Sequence, residues 1–221
     1  MSHTHRSTHP QFWQLLLEEN EESKFQKYLY GFENHERSVN VVRFSPDGRT
    51  LATASDGGTI ILFCVPEGRP TNYWLRDVAA RKLLPVLVRT AQADIYDLAW
   101  APSSLEFASV SVDNRVCFWG VGPGGKAFPQ AHFTSHQNYV QGVAWDPRDR
   151  FVVSQSNDRS CRVYKKREEP AAGKGKKGGK KKARPAGPLF TEVSLMRLAS
   201  RPEDVAKGKE VGGSAAWMDD G

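Results

Sequence analysis

Three stretches of this chain align without a gap: FSPDGRTLATASDGGTIILF (44–63), WAPSSLEFASVSVDNRVCFW (100–119) and WDPRDRFVVSQSNDRSCRVY (145–164). Each opens on an aromatic residue, Phe44, Trp100 or Trp145, and closes on another, Phe63, Trp119 or Tyr164. Between them lie a turn sequence, a run that alternates (Leu51–Ser55, Phe107–Ser111, Val152–Ser156), and a second tight turn. A ten-residue lead-in precedes each: HERSVNVVRF (35–44), AQADIYDLAW (91–100) and HQNYVQGVAW (136–145), with apolar residues at the fifth, eighth and tenth places. The opening aromatics are 56 and then 45 residues apart. A strand-rich unit recurring every 40–45 residues or so is the mark of four-stranded propeller blades. The longer first spacing points to an insertion, residues 66–89, whose Pro66, Gly68 and Pro70 open a surface loop and whose Leu84–Val88 forms the outer strand of the preceding blade.

The rest of the chain is read around that repeat. Residues 1–24 carry no repeat pattern and are expected to be irregular, with a short helix near Phe12–Leu17. His3, His5 and His9 belong to a mobile polar end. The repeat region spans 25–166, with blades near 25–65, 84–121 and 127–165 and a first strand from Phe25 to Phe32. Residues 167–188 are rich in Lys, Gly and Pro and read as a disordered linker that cannot bury a core. Residues 189–221 read as degenerate or disordered, with 189–204 as an eroded start of a further blade. Closed rings have about 4–8 blades, so three units predict a partial propeller.

Charge is unevenly placed. The net +6 hides a segment, Lys165–Arg184, that alone carries +8, leaving the remainder at −2. The Lys tract has no interleaved aromatics, which argues against base stacking. Lys180, Lys181, Lys182 and Arg184 suit a nuclear import signal with weak, non-specific contact to DNA phosphates. Nothing near 18 consecutive apolar residues occurs, and no membrane partner is expected. Cys64, Cys117 and Cys161 give neither a disulfide framework nor metal-type spacing, which suits a reducing compartment.

At this point the resemblance is specific. The repeat resembles the WD40 β-propeller family, an all-β fold. That resemblance implies a buried set of a lead-in His, a strand Ser, a turn Asp and a strand aromatic, tied together because buried polar groups must be paired. The third unit supplies His136, Ser156, Asp158 and Tyr164. The second supplies Ser111, Asp113 and Trp119, with Ala91 in place of His. The first supplies His35 and Ser55, with Gly57 at the Asp position and Phe63 at the aromatic one. These residues are read as structural. The segments SVNVVRF, DIYDLAW, SVDN, YVQGVAWDP and DRSCRVYKK, with Trp74 in the insertion, resemble the WD-repeat subunit of chromatin assembly factor one, and next to it the HIRA histone chaperone.

No catalytic constellation is found: the blade Ser, His and Asp residues are accounted for structurally, and Gly173–Lys182 lacks phosphate-loop spacing. A non-enzymatic binding protein without cofactor or small-molecule substrate is expected. Asn40, Tyr96, Asp97, Tyr139, Gln141 and Asn157 sit beside the apolar anchors without being needed for packing, so they are the candidate protein-binding face, each also able simply to solvate a strand end. The resemblance implies a nuclear scaffold in a histone chaperone complex assisting replication- and repair-coupled nucleosome assembly. Its partners would be the large subunit of that factor, the histone-three/histone-four pair and the anti-silencing histone chaperone. A HIRA-type replication-independent chaperone, or a generic WD40 adaptor such as a ubiquitin-ligase substrate receptor, are the alternatives.

Overall fold

The computed structural model describes residues 11–15, 26–32, 34–70, 73, 85–90, 92–167 and 189–197. Ala91, Trp74, the Lys tract with Lys180, Lys181, Lys182 and Arg184, and the three N-terminal histidines fall outside these. Among the described residues, strands make a hairpin and three four-stranded antiparallel sheets. The hairpin joins β1 (Gln11–Leu15) to β2 (Gln26–Gly31). The first sheet runs β3 (Val39–Phe44), β4 (Thr50–Ser55), β5 (Thr59–Cys64), β6 (Pro85–Arg89). The second runs β7 (Ile95–Trp100), β8 (Glu106–Ser111), β9 (Val116–Val121), β10 (Ala127–Phe133). The third runs β11 (Val140–Trp145), β12 (Phe151–Ser156), β13 (Ser160–Lys166), β14 (Phe190–Arg197). Neighbouring strands within each sheet are consecutive in the chain, as the recurring turns demand. This is a partial WD40 β-propeller.

Three expectations are corrected. Residues 11–15 form a strand rather than a helical turn, because β2 offers an edge to pair with and five residues are too few for periodicity to tell strand from helix. The strand expected over Phe25–Phe32 is observed as Gln26–Gly31, which pairs with the N-terminal segment, while Phe32 stacks on Phe63 of the first blade with ring centroids 4.2 Å apart. As expected for Leu84–Val88, β6 closes the sheet that precedes it; β10 does the same, so the sheets are offset from the repeat units 25–65, 84–121 and 127–165. Finally, Phe190–Arg197 does not open another blade. It pairs with β13 from Lys166↔Phe190 to Ser160↔Arg197 and completes the third one.

Apolar faces of adjacent sheets make the core. Between the first two lie Ala52, Ile60 and Leu62 against Leu98, Trp100, Phe107 and Trp119. Between the second and third, Val110, Val116 and Phe118 meet Val140, Val152, Tyr164 and Phe190. Phe190 is fully buried and stacks on Phe118 with ring centroids 4.0 Å apart. Polar contacts reinforce the joints. Trp100 Nε1 donates to the Arg43 carbonyl at 3.2 Å, and the Lys166 ammonium of the third sheet reaches Glu106 of the second. Gly58 has a positive φ of 74°, and a Cβ there would lie 2.0 Å from the Gln92 carbonyl oxygen, so the first sheet can approach the next lead-in loop only without a side chain.

Candidate functional site

The polar sets inside the blades hold the turns that lie beside the candidate binding residues. In the third blade, His136 Nδ1 donates to Asp158 Oδ2 at 3.0 Å, and its Nε2 lies 2.8 Å from Ser154 Oγ, which in turn is 3.3 Å from the Tyr164 hydroxyl. Asp158 also accepts from the Gln137 and Ser160 amides and the Ser160 hydroxyl. Burial opposes ionisation of Asp158, but those donors together hold its carboxyl well below the ordinary carboxylate range. Burial lowers the His136 pKa, with Asp158 pulling the other way, and burial pushes the Tyr164 hydroxyl up to about 12.

The strand hydroxyl in this set is Ser154, not Ser156. The second blade uses Ser109, which receives Trp119 Nε1 at 2.9 Å, and the first uses Thr53, 2.7 Å from His35 Nε2. Ser55, Ser111 and Ser156 stand two residues later and brace the turn instead. Ser55 bonds to the Thr59 carbonyl, Ser111 to Asp113, and Ser156 to the Asn138 and Tyr139 carbonyls. Side chains two apart on a strand share a face, so the alternation alone does not separate the two positions.

Sequence reasoning also missed Gln92. With Ala91 aligned to the lead-in histidines, the second blade seemed to lack that partner. Gln92, buried, takes the role: its Oε1 accepts from Ser109 Oγ at 2.5 Å and its Nε2 donates to Ser111 Oγ at 2.9 Å. Gln92→Ala is expected to cost about 2 kcal/mol in a denaturant titration, the scale of buried polar groups stripped of a partner. A loss within error would mean that Gln92 is not part of the set. In the first blade Gly57 replaces the turn Asp, and His35 Nδ1 is buried with no hydrogen-bond partner. Burial alone lowers the His35 pKa to about 4.

The candidate binding residues form a pattern that their spacing did not show. Each innermost strand carries a β-bulge at the same place: between Val39 and Val41, Ile95 and Asp97, and Val140 and Gly142. The extra residues are Asn40, Tyr96 and Gln141, and a bulge re-aims the side chain it adds. Tyr96 is 38% exposed and Tyr139, at the foot of the third inner strand, 41%. Gln141 and Asn157 are exposed too. Asn40 and Asp97 behave differently. Asn40 Nδ2 donates to Asp56 Oδ1 and to the Ile95 carbonyl, spanning the first two blades. Asp97 accepts from Arg43 Nη2 and from the Val143 amide, each at 3.1 Å, and so links all three inner strands. These two are bolts between blades; Tyr96, Tyr139, Gln141 and Asn157 are the surface they hold in place.

The histidines of the sets are buried, each with Nε2 against a strand hydroxyl, and Cys117 is pushed up to about 12 by burial. Among the described residues, no group of three His, Cys, Asp or Glu could hold a metal, and no helix is long and apolar enough to cross a membrane.

Residues 2–187 match the family described as the CAF1B/HIR1 beta-propeller domain. The chain is 35% identical over 145 residues to a chromatin assembly factor 1 subunit of mouse (Mus musculus), covering 62% of this chain and 25% of that protein. To the subunit of the same name in Saccharomyces cerevisiae it is 35% identical over 155 residues, covering 62% and 32%. To "Protein HIR1" of Yarrowia lipolytica it is 31% identical over 144 residues, covering 63% and 13%. The chain thus spans about a quarter of the mouse relative's length and about a third of the yeast one's.

Proposed function

This chain belongs to the CAF1B/HIR1 β-propeller family, and we propose that it is a non-catalytic scaffold in a nuclear histone chaperone complex, assisting nucleosome assembly coupled to replication and repair. The observation that carries the reading is the pairing of this family membership with a row of bulge residues on three rigid inner strands. Tyr96, Gln141 and the adjoining Tyr139 and Asn157 present broad amphipathic side chains on a frame bolted by Asn40 and Asp97. Aromatic side chains of this kind on a preorganised surface lose little entropy on binding and suit hot spots for a protein partner. The partners are the large subunit of the assembly factor and the histone-three/histone-four pair, with the anti-silencing chaperone as a further contact. The Lys tract, with Lys180, Lys181, Lys182 and Arg184, directs nuclear import and adds weak phosphate contacts.

The test mixes the full chain with the large subunit and, separately, with the histone pair. A Tyr96→Ala/Tyr139→Ala double variant should bind at least about tenfold more weakly, a loss of roughly 1.4 kcal/mol or more. Its melting temperature should be unchanged, because both rings are exposed. If the unaltered chain binds neither partner, the chromatin reading fails; if it binds and the double variant binds equally well, the surface assignment fails. A ubiquitin-ligase receptor or a HIRA-type assembly would instead be marked by recovery of the corresponding subunits.

A further inference from the structure

Two blades close the polar set around their lead-in residue with a turn carboxylate, and the first does not. In the third, Asp158 accepts from His136 Nδ1, from the Gln137 and Ser160 amides and from the Ser160 hydroxyl. In the second, Asp113 accepts from the Ala93 amide and the Ser111 hydroxyl. In the first, Glu36 and Thr59 stand where Gln137 and Ser160 do, but Gly57 stands where Asp158 does. Thr53 Oγ1 lies 2.7 Å from His35 Nε2, much as Ser154 Oγ lies 2.8 Å from His136 Nε2. With that hydroxyl donating, the ring proton sits on Nδ1, the tautomer the third blade uses. His35 is 7% exposed, and its Nδ1 has no partner. A buried donor without an acceptor is costly. Beside Gly57 the surface opens into a cavity of about 310 Å³, whose walls include Asn34, Arg37, Gly57, Thr59 and Leu87.

We propose that this cavity receives one acidic side chain from another protein: an Asp or Glu carboxylate seats beside Gly57, accepts from His35 Nδ1 and the Thr59 hydroxyl, and pairs with the Arg37 guanidinium. The third blade fixes the class of ligand, because the corresponding donors there hold the chain's own carboxylate, Asp158. Arg37 supplies the countercharge. It is exposed, and its Cδ and Nε lie 3.1 and 3.3 Å from where a Gly57 Cβ would stand. Hydrogen bonds with an ionised partner are the stronger kind. The acids nearby are engaged elsewhere or screened. Asp56 accepts from Asn40 Nδ2 at 2.6 Å, Asp94 accepts from the Gly57 amide at 2.7 Å, and Glu36 is exposed to solvent. A carboxylate brings one charge, which Arg37 answers. A phosphate brings nearly two, and the second would face Asp56 and Asp94. Leu87, 49% exposed at the rim, offers an apolar contact to the residue beside the acid. The inference does not rest on the chromatin reading, since any protein offering such a side chain meets the same donors.

The test titrates the isotope-labelled full chain at neutral pH with a capped Leu-Asp-Leu tripeptide, its Leu-Asn-Leu analogue and sodium acetate. The readout is the ring nitrogen resonances of His35, identified by their loss in His35→Gln. The Asp tripeptide should move them saturably with a Kd of about 1 mM, the scale of a single seated side chain. The Asn analogue and acetate should each bind at least about tenfold more weakly. Arg37→Glu should weaken the Asp tripeptide by at least about tenfold with an unchanged melting temperature, because Arg37 is exposed. Gly57→Asp supplies the carboxylate from the chain itself, so it should move the His35 resonances without any probe and block the tripeptide. Gly57 has a positive φ of 83°, which strains that variant; should it fail to fold, Arg37→Glu decides. Tripeptides that bind alike overturn the proposal, as do His35 resonances that no probe moves, or an affinity that Arg37→Glu leaves unchanged. Acetate binding as tightly as the Asp tripeptide overturns it too, and marks a pocket for small free acids instead of a docking point for a protein.

Discussion

Replacing Phe118 by alanine is expected to cost about 4 kcal/mol and to loosen the third blade from the second. Phe118 is fully buried, and its ring meets four others, three of them across the joint and Phe133 from its own sheet. Phe190 stacks on it at 4.0 Å, Tyr164 is 5.5 Å away edge-on, and Phe133 and Trp145 lie at 5.9 and 6.1 Å. Truncating a core phenylalanine removes its transfer free energy and leaves a cavity, for about 3–5 kcal/mol in total. Here the neighbours come from two sheets and cannot close the gap without moving one sheet against the other. Stacked modules contribute stability roughly as unit plus interface terms. Hydrogen exchange should therefore show β11–β14 opening before β3–β6, and equilibrium unfolding should lose cooperativity. A cost below about 1 kcal/mol, or uniform loosening of all three sheets, would refute Phe118 as the hub of that joint.

The same joint shows where the sequence was informative and where it stopped. The opening and closing aromatics were visible because both core faces of a blade recur at fixed places, and they fixed the fold and the family. β14 was harder to see. Residues 167–189, rich in Lys, Gly and Ala, separate it from β13, and a lone strand beyond such a segment has no repeat partner to align with. Its Phe190 is nonetheless a central ring of the core. The blade sets failed in another way. Ser154 and Ser156 point the same way along β12, so period-two reasoning accepts either; only the distance to His136 decides. Gln92 was hidden by a one-residue difference in loop length, which a gapless alignment turns into Ala91. Asn40 and Asp97 read as surface groups because a polar side chain at a strand end is indistinguishable, in sequence, from one that crosses to the next strand. The bulges that put Asn40, Tyr96 and Gln141 in one row have no signature in side-chain type at all.

The first blade should make the protein lose about 3 kcal/mol of stability between pH 6.5 and pH 4. His35 has lost the turn carboxylate that serves His136: Gly57 stands where Asp158 does, and nothing accepts from or donates to His35 Nδ1. Its folded pKa is about 4, lowered by burial, against about 6.5 in the unfolded chain. Below pH 6.5 the unfolded chain takes up a proton that the folded one refuses, so stability is full above that pH and falls as the solution is acidified towards pH 4. A gap of that size corresponds to about 3 kcal/mol. His136 is also lowered and adds a change of the same sign. Asp158 contributes separately: its depressed pKa gives stability that is present above the unfolded carboxylate value, near 3.9, and is lost only at lower pH. The second blade supplies the control, since Gln92 does with an uncharged amide what His35 does with imidazole. His35→Gln should keep the contact to Thr53, leave stability at pH 7 within about 1 kcal/mol, and remove most of the 3 kcal/mol from the slope between pH 6.5 and 4. Denaturant titrations at half-unit intervals measure it. If the variant and the unaltered chain lose stability in parallel across that window, His35 is not the group that titrates.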